Sequence, residues 1–230
     1  MYGYSSYEES YVYNEIEDAI VSYKKRGLEC TRADIVSHGI GGLIARKFLQ
    51  EPAESDTSDE NNRSTLSYKQ GMVRRVITIA APHYGTPWTE AQSRDKGLAE
   101  KINSIKSDYY YDRYFDFDGD VPVFESSNAL KALMQDVYNY GYPENVPMHS
   151  ICADISKANL VNALDLTESE LEALETMFSG QGNDLLVSVA SATDSFMPDY
   201  TTIKTVTNES DALKYWHGGI CLQEIGRAHV

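Results

Sequence analysis

The sequence carries little positive charge. Its 230 residues include 20 Lys and Arg against 35 Asp and Glu, which gives a formal net charge of −15 at pH 7. Phosphate backbones and anionic lipid headgroups repel a protein of this charge. The composition therefore argues against nucleic acids and anionic membrane surfaces as partners.

Long apolar runs are also missing. No stretch approaches the roughly 18 consecutive apolar residues that a membrane-spanning helix needs. The first residues, M-Y-G-Y-S-S-Y, lack the basic start and the apolar segment of a secretory signal peptide. We therefore expect no integral membrane segment, while a secreted and a cytoplasmic location both stay open.

Cysteine is scarce as well. Cys30, Cys152 and Cys221 stand far apart, without a CxxC pair or a Cys/His cluster. This spacing disfavours a structural zinc site, whose ligands come in close pairs. We expect the cysteines to be buried as small apolar residues, and one disulfide with one free thiol is the alternative. The redox compartment stays undetermined.

What the sequence does contain is a series of short apolar segments that alternate with amphipathic ones. The apolar segments are rich in β-branched residues, which is typical of parallel strands covered on both faces. The pattern predicts strands over 33–36, 74–81, 148–153, 185–190 and 201–206, and helices over 7–26, 43–50, 98–105, 127–138 and 168–178. The predicted fold class is therefore α/β, with a mostly parallel sheet and helices on both faces.

Local signals add detail to three of these helices. Gly27 is expected to end the first helix. Arg46 and Lys47 are expected on the exposed side of the second helix. Thr167 is expected to cap the last helix, with Glu170 in the capping-box position.

Two polar segments separate the predicted elements. Residues 51–71 are acidic with few apolar anchors, and we expect a solvated loop. Residues 88–145 contain an aromatic stretch at 109–117 that we interpret as part of a lid or cap, with packing between helices as the alternative. The acidic run at 116–120 is expected to be a solvated turn rather than a calcium loop, because its Gly is misplaced and no bidentate Glu follows.

The segment 37–42, S-H-G-I-G-G, joins the first predicted strand to the second helix. A nucleophile on such a sharp turn needs small residues two positions before and after it, because larger side chains would collide. Ser37 and Gly41 meet this requirement. The next residue, Ile40, would donate a main-chain N–H to an oxyanion at the helix N-terminus. Gly39, however, stands where the nucleophile belongs.

Two further residues follow this turn in the order that a hydrolytic triad needs. Asp184 lies in G-N-D-L-L-V at 182–187, where an acid precedes an apolar run. His217 lies in Y-W-H-G-G, after the last predicted strand. A further segment, A-A-P-H-Y-G-T at 80–86, follows the second predicted strand.

These four segments resemble those of bacterial-type lipases and esterases in the α/β-hydrolase superfamily, which carry a G-H-S-M-G-G-L turn and a T-P-H-x-G-S/T segment. The resemblance implies a triacylglycerol lipase-like hydrolase of the Ser-Asp-His type that acts on small-molecule or lipid esters, without metal or cofactor. It implies Asp184 as the triad acid, His217 as the general base and Ile40 as an oxyanion donor. Gly39 takes the place of the family's nucleophilic Ser.

A site without its nucleophile is expected to be inactive or nearly so. One alternative is a pseudoenzyme that binds a lipid or ester-like ligand, or a protein partner, without turnover. Another is a Ser codon changed to a Gly codon by a single base. We expect His38 and His83 to buttress the turns, and we expect none of three nearby hydroxyls to replace the missing one (Ser37, Thr86 and Ser191).

The domain organisation follows from the same resemblance. Residues 1–224 are expected to form a single α/β-hydrolase-like domain, with 88–145 as the lid or cap insert. The strands that precede the first helix in the family are absent, so an N-terminal truncation is expected. Residues 225–230, I-G-R-A-H-V, match one translated reading frame of a common sequencing adapter and are expected to be a non-native tail. Protein partners stay unknown at this level.

Overall fold

The structure of the protein, a computed structural model, describes residues 6–50, 71–87, 97–98, 100–101, 130, 146–193, 201–212, 214–217 and 219–220. The predicted loop at 51–71, apart from its last residue, lies outside these ranges. So do the aromatic stretch at 109–117, the acidic turn at 116–120, Cys221 and the tail at 225–230. Within the described ranges, no helix is both long and apolar enough to cross a membrane.

In the described part of the chain, four parallel strands form one sheet and follow the order of the sequence. The strands are β1 Ala33–His38, β2 Val73–Ile79, β3 Met148–Ile155 and β4 Thr201–Val206. The helices are α1 Ser6–Lys25, α2 Ile40–Gln50, α3 Lys157–Leu164, α4 Glu168–Met177, α5 Val189–Thr193 and α6 Glu209–Ala212. The predicted α/β fold class is confirmed.

Two clusters of buried apolar side chains hold the sheet and the helices together. The smaller cluster joins α2 to β2 and β3, with part of α1 packed against it, and contains Ala45, Phe48, Leu49, Val73, Val76 and Met148. The larger cluster joins β2, β3 and β4 to α3 and α4, and includes the loop segments 185–187 and 215–216. Burying one such side chain fully stabilises the fold by about 1.5–3 kcal/mol. These two loops are therefore part of the core.

The end of α1 and the start of α4 are as predicted. Gly27 follows α1 with a φ of +81° and donates its N–H to Lys24 O at 2.9 Å, which closes the helix. At the start of α4, Thr167 Oγ1 accepts from Glu170 N while Glu170 Oε2 accepts from Thr167 N at 2.8 Å. The pKa of Glu170 is lowered to about 2. The main cause is the hydrogen bond from Lys101 Nζ, 2.7 Å from Glu170 Oε2, and the second is the pair of hydrogen bonds from Thr167. The capping box is confirmed.

The prediction that Arg46 lies on the exposed side of α2 is wrong. Its side chain is fully buried, and Nη1 donates to His83 O at 3.0 Å. Lys47 is half-buried rather than exposed. The loop after β2 covers this face of the helix. The periodicity of α2 does not indicate that a segment so far away in the sequence packs there.

The prediction of a strand over 185–190 is also wrong. Asn183 and Ser188 form an isolated antiparallel bridge that closes a loop, and α5 begins at Val189. Leu185 has a φ of +79°, which no strand residue adopts. The three apolar residues 185–187 are nevertheless buried, and a buried apolar run has the same sequence pattern in a turn as in a strand.

Gly42 sets the distance between α2 and the end of β2. A Cβ built on Gly42 would lie 2.4 Å from the Cβ of Ala81 and 3.4 Å from the Cβ of Thr78. The first distance is far below van der Waals contact. The helix therefore reaches this position because residue 42 has no side chain.

The substitution Gly42→Ala is expected to lower the free energy of unfolding by about 1–3 kcal/mol, because the new methyl overlaps Ala81. The matched control is Gly41→Ala, whose Cβ would lie at an ordinary 3.6 Å from the Cβ of Ser37. This control should be neutral or more stable by up to about 1 kcal/mol, since Ala favours a helix over Gly. Urea unfolding followed by circular dichroism measures both, and equal effects would contradict the close packing at Gly42.

Candidate active site

Gly39 forms the turn between β1 and α2. Its φ is +54°, its N–H donates to Ile79 O at 3.0 Å, and its C=O accepts from Gly42 N at 3.0 Å. A residue with a side chain pays about 1–2 kcal/mol for this left-handed conformation. The tight strand-to-helix turn predicted for 37–42 is present, with Gly39 at its apex.

Position 39 faces the imidazole of His217. A Cβ built on Gly39 would lie 3.2 Å from His217 Nε2 and 3.8 Å from Cε1. Leaving aside Gly39 and its chain neighbours His38 and Ile40, no other atom of the described residues comes within 4 Å of that point. The first distance is slightly short for a carbon contact, so the ring would move by a few tenths of an ångström to admit a side chain.

His217 and Asp184 form a buried pair. His217 Nδ1 lies 3.0 Å from Asp184 Oδ2, and the two side chains are 6% and 1% exposed. A carboxylate oxygen only accepts, so Nδ1 carries the ring proton and donates. In the neutral ring the lone pair is then on Nε2, which is the atom that faces Gly39.

The acid loop, residues 183–188, holds the carboxylate of Asp184 in place. Asp184 Oδ1 accepts main-chain N–H groups from Leu186 at 3.0 Å and from Val187 at 2.7 Å. Asp184 N–H in turn donates to Val187 O at 3.1 Å. Both carboxylate oxygens are thus bonded, which is what a buried carboxylate requires.

The parallel sheet brings the three positions together. Gly39 directly follows β1, Asp184 follows β3 after α3 and α4, and His217 follows β4 after α6. Parallel strands end at the same edge of a sheet, so the segments after them meet there. The predicted residues Gly39, Asp184 and His217 lie next to one another at this edge.

Ile40 is the first residue of α2, immediately after Gly39. The N–H groups in the first turn of a helix have no carbonyl partner one turn earlier, and the helix dipole makes this end positive. The Ile40 side chain is 38% exposed. Its main-chain N–H is therefore placed where a negative oxygen beside Gly39 would be stabilised.

His38 connects the turn to His217. Its Nε2 donates to His217 O at 2.7 Å, and the two ring centroids are 4.7 Å apart. Burial, and next the charge of His217, lower the pKa of His38 to about 4. His38 is therefore neutral at pH 7 and acts as a donor from the strand to the main chain of His217, a contact that sequence reasoning did not reveal.

His83 buttresses the same edge from the loop after β2. Its Nε2 lies 3.2 Å from Thr78 Oγ1, which is 3.1 Å from Ser150 Oγ on the neighbouring strand. Its main-chain oxygen accepts from Arg46 Nη1. All four side chains are buried. Nothing in the sequence pattern indicates that Arg46 is buried and belongs to this network.

The hydroxyls near the site bond to the scaffold. Ser191 Oγ donates to Gly85 O at 2.6 Å, and Thr86 Oγ1 donates to Leu186 O. Ser37 Oγ donates to the main chain of β2 at 3.4 Å. The bond of Thr86 joins the loop after β2 to the acid loop, the bond of Ser191 joins the same loop to α5, and the bond of Ser37 joins β1 to β2. None of the three hydroxyls lies within 4 Å of the Cβ position of Gly39.

The remaining reactive side chains of the described part lie outside the site. His149 Nε2 lies 2.7 Å from Thr202 Oγ1 across two strands. Burial raises the pKa of Cys152 to about 12, so it is a protonated thiol at pH 7. Cys30 and Cys152 form no disulfide. No three His, Cys, Asp or Glu side chains of the described residues gather into a group that could hold a metal ion.

The pKa of His38 predicts a pH dependence of stability. An unfolded His binds a proton near pH 6.5 and the folded His38 only near pH 4, so the unfolded chain holds more protons between these values. The contribution of His38 is complete above pH 6.5 and is lost as the pH falls towards 4. The substitution His38→Gln keeps an N–H donor but removes this titration.

Between pH 7 and 4, the unfolding free energy of the unsubstituted protein should fall by up to about 3 kcal/mol more than that of His38→Gln. Urea unfolding at a series of pH values measures the difference, in which the other titrating groups cancel. Parallel curves for the two proteins would contradict the buried, neutral state of His38.

The chain is similar to solved structures of bacterial lipases. A lipase of Bacillus licheniformis in its mature form matches with a TM-score of 0.51 and 15% identity, over 96% of this chain and 72% of that chain. A lipase of Staphylococcus hyicus matches with a TM-score of 0.44 and 12% identity, over 85% of this chain and 68% of that chain. No protein-family model matches the sequence, and no curated protein matches it. At 15% identity the likeness to the Bacillus licheniformis lipase shows the fold alone, and this chain shares the α/β fold of that structure.

Proposed function

We propose that this chain is a carboxylic-ester hydrolase domain of the Ser-Asp-His type in which Gly39 occupies the nucleophile position. One observation carries the proposal. The Cβ position of Gly39 lies 3.2 Å from His217 Nε2, while Nδ1 of the same ring lies 3.0 Å from Asp184 Oδ2. A nucleophile, a base and an acid in this alignment are what acyl transfer needs.

Each residue has a separate role in this proposal. His217 Nε2 takes the proton of the nucleophile and later gives it to the leaving group. Asp184 keeps the ring in the tautomer that leaves Nε2 free to accept. The N–H of Ile40 donates to the oxygen of the tetrahedral intermediate, helped by the positive end of α2.

The proposed substrates are small-molecule or lipid carboxylic esters. This chemistry needs no metal and no cofactor. Ile40 places a partly exposed apolar side chain beside position 39, which suits an acyl chain. The net charge of −15 favours neutral esters over anionic ones.

The chain as written lacks the atom that forms the acyl intermediate. Sites that lose the nucleophile but keep base and oxyanion donor retain roughly 10³–10⁴-fold acceleration over water, far below a working hydrolase. We therefore propose that Gly39 makes this domain a very slow esterase. The retained base and acid, with Gly39 between strand and helix, also favour a second candidate, a domain that binds an ester-like ligand without turnover.

Restoring the hydroxyl with Gly39→Ser is expected to raise kcat/KM for p-nitrophenyl esters of short or long chain by about 10²-fold or more. The matched control is Gly39→Ala, which adds the same Cβ without the oxygen. Both variants carry the cost of a side chain at a φ of +54°, so their stabilities should agree. The double variant Gly39→Ser/His217→Ala should lose the gain.

A folded Gly39→Ser protein that is no faster than Gly39→Ala would remove the hydrolase proposal. Binding of an uncleavable phosphonate or ether analogue of the ester by the unsubstituted protein would then support the non-catalytic candidate. Absence of both hydrolysis and binding would remove that candidate as well. Steady-state kinetics and calorimetry provide the two measurements.

The role of Asp184 can be tested by Asp184→Asn in the Gly39→Ser protein. Oδ1 accepts two main-chain N–H groups, so the amide oxygen of Asn must take that place. Its NH₂ then faces His217 Nδ1, which has to accept, and the ring proton moves to Nε2. We expect kcat to fall by about 10³–10⁴-fold with KM little changed.

The control for this variant is Asp34→Asn, which removes the same charge on β1 where the carboxylate pairs with Arg74 and Arg75. This control should keep the activity of the Gly39→Ser protein within about twofold, because an exposed ion pair contributes little. Equal losses for the two variants would show that charge alone, and not the tautomer of His217, explains the effect.

A further inference from the structure

A space bordered by His217 Nε2 lies in front of Gly39. Leaving aside Gly39 and its chain neighbours His38 and Ile40, the only atoms of the described residues within 4 Å of the Cβ position of Gly39 are Nε2 and Cε1 of His217. A small molecule in this space can touch Gly39 and still lie within the 2.7–3.2 Å of a hydrogen bond to Nε2. Any side chain at position 39 would occupy part of the same space.

His217 is able to act on such a molecule. Its Nδ1–H is bonded to Asp184, so its Nε2 lone pair points into the space and can accept an O–H or N–H. General-base catalysis by a positioned imidazole contributes about 10²–10⁴-fold to a rate. This contribution does not depend on whether the nucleophile is attached to the chain.

We propose that this space is a binding site for a small external nucleophile, water or a short primary alcohol, which His217 activates for direct attack on an ester. The proposal rests on the proposed function, since the ester must lie with its carbonyl oxygen at the N–H of Ile40. It makes the unsubstituted protein a single-displacement esterase and, with an alcohol, a transesterase.

The atoms balance without any further reactant. The nucleophile's O–H proton passes to His217 Nε2 as its oxygen bonds to the carbonyl carbon, and the carbonyl π electrons move to the oxygen beside Ile40. These electrons return as the bond to the leaving oxygen breaks, and His217 gives its proton to that oxygen. Water yields the acid and an alcohol, and methanol yields a methyl ester and an alcohol.

The absence of an acyl intermediate separates this reaction from that of Gly39→Ser. With p-nitrophenyl butyrate, the unsubstituted protein should release p-nitrophenolate without a burst, and a fluorophosphonate should not label it. Added methanol should raise the release in direct proportion and appear as methyl butyrate. In Gly39→Ser, methanol should speed only the breakdown of the acyl intermediate, after a burst.

Two variants test the site itself. His217→Ala should lose the methanol-dependent rate by about 10²-fold or more, because the base is gone. Gly39→Ala should lose about tenfold or more, because its methyl lies at 3.2 Å from Nε2, where the nucleophile binds. Circular dichroism and thermal unfolding check that both are folded, and the burst and labelling measurements on the unsubstituted protein need no variant.

Three outcomes overturn the proposal. A burst or a fluorophosphonate adduct in the unsubstituted protein would show that another residue of the chain is the nucleophile. The second outcome is a rate of p-nitrophenolate release that changes neither with methanol nor with His217→Ala, while the Gly39→Ser protein is active. This result would rule out the external binding site and leave the proposed function in place. A folded but silent Gly39→Ser would remove the proposed function, and with it the ester chemistry on which this inference rests.

Discussion

The buried pair of Asp184 and His217 is the constraint on which the site depends. A carboxylate that is 1% exposed is tolerated only where its oxygens are bonded. One oxygen meets His217, and the other meets two main-chain N–H groups of its own loop. To supply these donors the chain turns back in a left-handed conformation at Leu185, and buried apolar side chains hold the turn. The shape of the acid loop thus follows from one carboxylate.

Gly39 shows that the turn and its chemistry are separable. The turn is closed by main-chain bonds from Gly39 to Ile79 and from Gly42 to Gly39, and by the close approach of Gly42 to Ala81. None of these uses a side chain at position 39. A left-handed φ favours Gly there, so Gly is more stable at this position than a residue whose side chain could act as a nucleophile. The fold can therefore keep the pair of Asp184 and His217 beside a turn whose apex has no side chain.

Features set by near neighbours or by the order of segments along a parallel sheet were predictable, and the individual long-range contacts of other side chains were not. The capping box at Thr167 depends on residues three positions apart. The positions of Asp184 and His217 in the chain, each after a strand of a parallel sheet, place both at one sheet edge because parallel strands end together. Arg46 was misplaced because its partner His83 is 37 residues away. The segment 185–190 was misassigned because a buried turn can be as apolar as a strand. The bond of His38 to His217 spans 179 residues, which no periodicity reports.

The main chain of His217 is held on both sides. Its N–H donates to Asp184 O at 3.0 Å, and its C=O accepts from His38 Nε2 at 2.7 Å. One anchor belongs to the acid loop and the other to the central sheet, so the imidazole keeps only its two side-chain torsions. The direction of its lone pair is established when the chain folds and not when a ligand arrives. Charge that develops beside this ring would meet dipoles already in position, and little reorganisation energy would be needed.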